Sequence, residues 1–220
     1  MATCAPVNRT LAGDLAPSAI IRELIFDDRA INVAFVVYHD NACTLFLPGG
    51  EIVRYDMVEH AITDRNGKAV AYKAYHKGER FVGVNARRDS SFTWVGDPRV
   101  APDGGTVAYF AERPVRGGFG AAEYLLVIDG EVKDSYHEPG NIVFTPRGQL
   151  VFTVQDKRDS IVSIGGEVLG RFAAVSPPVV APGTGDVFFW VRQNDRWCLY
   201  SPRLPCSCRV TSRTGIPDGR

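Results

Sequence analysis

Glu23, Glu59, Asp97 and Asn141 each stand three residues ahead of an apolar residue, Phe26, Ile62, Val100 and Phe144, that closes the same short phrase of sequence. Pro177 holds the fifth such position, ahead of Val180. If the phrase repeats in space as it does along the chain, three acids and one amide gather around a common point. Such a ring could hold a cation such as calcium through oxygen ligands. It could equally supply the paired carboxylates of a glycosidase, or be no more than a solvated rim at strand starts. His60 and Arg99 lie in the same segments. They are read as a hydrogen-bonded packing residue and as a cation neutralising acids such as Asp97.

A second group lies in AERPVRGGFGAAE, residues 111–123, the one place where the repeat is stretched. Arg113, Arg116 and Phe119 combine charge with an aromatic, a composition enriched where proteins bind proteins. Loops longer than a scaffold needs often carry function. The plain alternative is an inert insertion. The chain has no Gly-x-Ser-x-Gly elbow, Walker loop, His-Glu-x-x-His or EF-hand pattern. It therefore calls for no cofactor and no metal. Cys198, Cys206 and Cys208 lie close in sequence, but no histidine is near them and the spacing is not that of a structural zinc site. Trp94, Trp190 and Trp197 fall in strand-like segments, where the expectation is that they fill space between sheets. Lys73, Lys77, Arg80, Arg87 and Arg88 read as a solvated basic edge that discourages pairing with other chains.

The composition limits the partners. Lys+Arg and Asp+Glu are both 25, so the formal net charge is zero and the main electrostatic reason to expect nucleic acid or an anionic membrane is gone. A hydrophobic fraction of 45% with 23% charged residues is that of a globular protein with a sizeable core. Residues 1–20 hold no apolar run of signal-peptide length. Five cysteines, an odd number, fit reduced thiols, so the expectation is cytoplasmic.

Those residues are positioned by a repeat. An apolar residue, a polar turn and a strand rich in Val, Phe and Tyr recur: Phe26-Asp27-Asp28-Arg29 before INVAFVVY, Thr63-Asp64-Arg65-Asn66-Gly67 before KAVAYKAY, and Ala101-Pro102-Asp103-Gly104 before GTVAYFAE. Thr145-Pro146-Arg147-Gly148 precedes QLVFTVQD, and Pro182-Gly183-Thr184-Gly185 precedes DVFFWVRQ. Positions 26, 62, 100, 144 and 180 are spaced by 36, 38, 44 and 36 residues, the period of a propeller blade. Behind each comes a hairpin-like half with turns at Pro48-Gly49-Gly50, Asp129-Gly130 or Gly165-Gly166. The prediction is an all-β chain: a β-propeller of five blades, each of four antiparallel strands, over residues 20–212. Residues 6–12 are available as a closing strand within the N-terminal segment 1–19, and 213–220 form a polar tail.

The Pro-Asp-Gly turn followed by TVAYFAE, with VIDGEVKDSY behind it, resembles the TolB-like, WD-repeat-like bacterial propeller repeats. The resemblance covers about residues 20–210 and is clearest over 97–155; the Trp-Asp and Gly-His signatures of true WD repeats are missing. It implies a fold more than a function, because members of this family mostly serve as binding scaffolds or as non-catalytic domains beside an enzyme. The leading expectation is a monomeric, non-enzymatic module that binds a protein partner through one face and the 111–123 loop. The alternative is a carbohydrate-active enzyme using carboxylates from Glu23, Glu59 and Asp97. A third is that these copies form part of a larger propeller.

Overall fold

The computed structural model describes residues 16–115, 122–194 and 196–203, and they form strands and turns. Among them no helix is long and apolar enough to cross a membrane. The first sheet orders β1 (Ile20–Phe26), β2 (Val33–His39), β3 (Ala42–Phe46) and β4 (Ile52–Tyr55). The second orders β5 (Met57–Thr63), β6 (Val70–His76), β7 (Glu79–Val84) and β8 (Arg87–Arg88). In the third sheet the first strand is split into β9 (Trp94–Val95) and β10 (Arg99–Val100), both paired with β11 (Val107–Pro114). It continues with β12 (Ala122–Ile128) and β13 (Glu131–Tyr136). The fourth holds β14 (Glu138–Phe144), β15 (Leu150–Asp156), β16 (Asp159–Ile164) and β17 (Glu167–Phe172). The fifth again splits its first strand, into β18 (Ala174–Val175) and β19 (Val179–Val180), followed by β20 (Val187–Gln193) and β21 (Arg196–Tyr200). All pairs are antiparallel, and apart from the split first strands each strand lies beside its predecessor in the sheet. The expected closing strand at 6–12, the tail, Cys206 and Cys208 lie outside the described residues.

Each inner sheet is apolar on both faces, which is why its second strand reads as a continuous hydrophobic run rather than an alternation. In β11, Val107, Tyr109 and Ala111 pack toward the second sheet while Ala108 and Phe110 pack toward the fourth. Four apolar clusters result, joining first to second, second to third, third to fourth and fourth to fifth sheets. None of the four joins the fifth sheet to the first. The outward face of the first sheet carries the cross-strand row Leu24, Phe35, Phe46 and Ile52, with Phe35 and Phe46 stacked at 4.5 Å. The fifth sheet turns Trp190 (39% exposed) and Trp197 (44% exposed) outward. Those two tryptophans do not fill space between described sheets, contrary to the sequence expectation; Trp94 packs against the cluster between sheets three and four.

One turn recurs at the end of every first strand. The backbone N–H of Asp27, Asp64, Ala101, Thr145 and Ala181 donates to the carbonyl of Asn32, Ala69, Thr106, Gln149 and Asp186. In two copies a buried carboxylate fills the turn. Asp64 accepts from the backbone N–H of Lys68 (2.6 Å), Ala69 (2.9 Å) and Asn66 (3.2 Å). Asp27 accepts from Ile31 N–H at 2.8 Å and the Asn32 amide at 2.9 Å. Successive turns are tied together: Asp28 N–H donates to the Arg65 carbonyl, and Arg65 N–H to that of Pro102.

These turns also correct the phase of the second copy. The residue ending its first strand, opposite Val70, is Thr63, matching Phe26 opposite Val33 and Val100 opposite Val107. Counted along the chain the position three residues earlier is His60, but the bulge between Glu59 and Ile62 brings Glu59 back into register: it stands opposite Lys73, three past Val70, as Glu23 stands opposite Val36, three past Val33.

Asp64→Ala leaves three backbone donors of a buried turn without their acceptor. A loss of about 1–3 kcal/mol in urea unfolding is expected. Asp103→Ala, at a turn whose carboxylate accepts only from the nearby Gly105 N–H, is expected to cost less; equal costs would show that burial of the turn is not what counts.

Candidate ligand site at the mouth of the first strands

The first strands sit side by side, β1 against β5, β5 against β10 and β10 against β14. Every one is irregular at the same level. Register shifts fall between Ile21 and Glu23, between Glu59 and Ile62, and between Pro139 and Ile142. In the third and fifth sheets Gly96–Pro98 and Ser176–Pro178 break the strand outright. The causes are local. Prolines cannot donate to a ladder, and His60 has a φ of 49° in the left-handed region. At Gly140 a Cβ would lie 2.0 Å from the Thr153 carbonyl oxygen. A bulge re-aims the residues around it, and here the re-aimed residues are those singled out in the sequence.

Three of them connect from sheet to sheet. Glu23 reaches across to the bulge of the second sheet, where its Oε1 accepts from His60 N–H at 3.2 Å and its Oε2 from Ala61 N–H at 3.1 Å. The His60 ring lies 3.6 Å from Asp97 of the third sheet. Lys73, on β6, donates to Asp97 at 2.9 Å and stands 4.0 Å from Glu59. Burial pushes the Asp97 carboxyl upward, but the hydrogen bond and charge of Lys73, with His60 and Arg99 nearby, outweigh it and hold the carboxyl below its ordinary range. Arg99 acts on Asp97 through its charge from beyond ion-pair distance, and its guanidinium donates to the Pro98 carbonyl at 3.3 Å.

Lys73 is the residue the sequence reading misplaced. It belongs to the mouth, with a side chain only 19% exposed, and not to a solvated edge. Its signal was present: a lone cation inside VAYKAY, a strand covered on both faces, must find an anion. Arg87 and Arg88 do form the outer strand of their sheet, where Arg88 pairs with Glu79 and lies over the Phe81 ring.

Asn141 belongs to the other side of the mouth. A pocket of about 320 Å³ is lined by Asp97, Arg99 and Asn141, with Trp94, Phe110 and Ile142 as its apolar surfaces. Glu23, Glu59 and His60 do not line it. Between the second and third sheets lie two further clefts that share Tyr75 and Arg80. One, about 460 Å³, includes Met57, Lys73 and Trp94, and the other, about 570 Å³, includes Phe92, Arg113 and Pro114. Arg113 pairs with Glu123 at 2.9 Å. Arg116 and Phe119 lie outside the described residues. Among the described residues no group of three or more His, Cys, Asp or Glu side chains is arranged to hold a metal ion.

No family model matches the sequence, and no curated protein matches it. Solved structures do. The β-propeller domain of the trilobed protease from Pyrococcus furiosus, described as having an open velcro topology, superposes with a TM-score of 0.52 at 9% identity. The match covers 87% of this chain and 71% of that one. An acylaminoacyl peptidase bound to a chloromethyl ketone gives a TM-score of 0.50 at 11% identity, over 86% of this chain and 39% of that one. TolB from Acinetobacter baumannii gives 0.41 at 16% identity, over 85% of this chain and 52% of that one. The fold is that of a β-propeller. At these identities the likeness extends to the architecture alone. The chain spans well under half of the peptidase and about half of TolB. The sheets are thus blades, and the bulged first strands are the blade edges that line a propeller's interior.

Because the folded Asp97 carboxyl is held low, it contributes stability above the ordinary carboxylate range and loses it as pH falls through the folded value. The gap in urea midpoint between the wild type and Asp97→Asn is expected to be widest near neutrality and to shrink as pH falls below the ordinary carboxylate range. A gap that does not vary with pH would contradict the pairing with Lys73.

Proposed function

We propose that this chain is a five-bladed propeller serving as a non-enzymatic binding module, and that it takes a protein partner on the face bearing the paired clefts and the 111–123 segment. The observation that carries this is the surface shared by blades two and three. Tyr75 (38% exposed) and Met57 (41% exposed) stand beside Arg80, Phe92, Trp94 and Arg113 around two adjoining concavities. Aromatics, Met and Arg are the residue types enriched at the centres of protein interfaces. Rigid strands hold them on a surface that the stretched segment borders. The reading includes a monomer in the cytoplasm, needing no cofactor.

The carboxylate geometry favours binding over glycoside cleavage. A glycosidase's general acid must keep its proton near neutral pH. Asp97 is pushed the other way by Lys73, and both Glu23 oxygens are occupied by backbone N–H groups.

The test is affinity capture with cross-linking on the immobilised chain. Proteins retained by the wild type are expected to be lost with Arg80→Glu/Arg113→Glu at an unchanged melting temperature, because truncating a central hot spot weakens binding by roughly 30-fold or more. Identical retention by the double variant would reject the cleft as the docking surface.

A further inference from the structure

The pocket between blades three and four shares only Trp94 with the paired clefts, and its polar groups have hydrogen-bonding capacity to spare. Asp97 uses Oδ1 for both Lys73 and His60, leaving Oδ2 over. Among the described residues the Asn141 side-chain amide makes no hydrogen bond; the backbone N–H of Asn141 is the group that donates to Thr153, at 3.1 Å. The Arg99 guanidinium has the Pro98 carbonyl as its hydrogen-bond partner there and no carboxylate within ion-pair distance. An acceptor, an amide that both donates and accepts, and a five-donor cation thus line one concavity of about 320 Å³. That volume is at the small end for small-molecule sites. The Trp94 indole, held edge-to-face against Tyr124 at 6.1 Å, supplies a rigid apolar wall.

We propose that this pocket binds a monosaccharide-sized, polyhydroxylated ligand, with a carboxylate-bearing sugar preferred over its neutral parent. Sugars present an apolar C–H face, which packs on an aromatic ring, and an edge of adjacent hydroxyls, which need donors and acceptors side by side. Trp94 meets the first requirement, and Asp97 with Asn141 the second. Arg99 supplies the preference, because a guanidinium with no carboxylate within ion-pair distance among the described residues can pair bidentately with one from a ligand. The site binds and does not cleave: the proposal includes no bond-making step, and it stands whether or not a protein docks on blades two and three.

Isothermal titration of the full chain with D-glucuronate and D-galacturonate decides it, with D-glucose and D-galactose as the neutral parents. Acetate serves as a charge control and glycerol as a hydroxyl control. At least one uronate is expected to bind at millimolar affinity or better and about fivefold or more tighter than its parent. Arg99→Ala is expected to abolish that preference, and Asn141→Ala to weaken acid and parent alike by about tenfold. Both residues are exposed, so neither change should disturb folding, and unchanged melting temperatures confirm this. The proposal is overturned if no sugar binds at about 50 mM, far above the expected range. It is also overturned if acetate or glycerol binds as tightly as the uronate, or if both variants bind like the wild type.

Discussion

A β-sheet that is apolar on both faces is soluble only between two others, and nearly every other feature of this molecule follows from that. Val107 to Ala111 are five consecutive buried residues on one strand, divided between two interfaces. No single sheet could bury them. Stacking makes each blade the cover of the next, and the chain accordingly repeats one unit instead of building one central core. The turns that close the first strands add a polar tie between neighbours, so blade-to-blade contact is fixed by hydrogen bonds as well as by apolar area.

Stacking also explains how a scaffold so regular acquires distinctive surfaces. Where first strands crowd together, the regular ladder gives way at one level in all five described sheets, and in four of them a proline, a glycine pressed on a carbonyl or a left-handed histidine stands at the break. The side chains displaced there are charged or amide-bearing. Glu23 spends its charge on holding the neighbouring bulge in place. Asp97 is shared: one oxygen serves Lys73, and the residue also lines the pocket. A single residue thus belongs both to the framework and to a place where a ligand could rest.

The repeat and the strand content were legible in the sequence because they depend on local patterns: turn residues, β-branched runs and a period near forty. What escaped were facts that need register. The second copy was read one residue out of phase, since Ile62 is as apolar as the other anchors while the true equivalent, Thr63, is not. The bulge then returns Glu59 to the ladder position of Glu23 and leaves His60 inside the bulge, which no sequence offset reveals. Lys73 was grouped with nearby arginines by sequence distance, although alternation along β6 puts it on the Ala71 face, toward the third sheet and Asp97. Trp190 and Trp197 were assigned to packing on composition alone; their position on the outward face of the last described sheet is a matter of topology, which composition does not encode.

Because apolar cover is passed only from neighbour to neighbour, the five described sheets are unequal. The third is braced on both sides, whereas the first and fifth each turn Leu, Phe or Trp side chains outward. Protection of amide protons against exchange should accordingly grade from the flanks toward the middle. The pocket walled by Trp94 stands on the third sheet, which is packed from both faces, so the ring is seated on doubly covered framework.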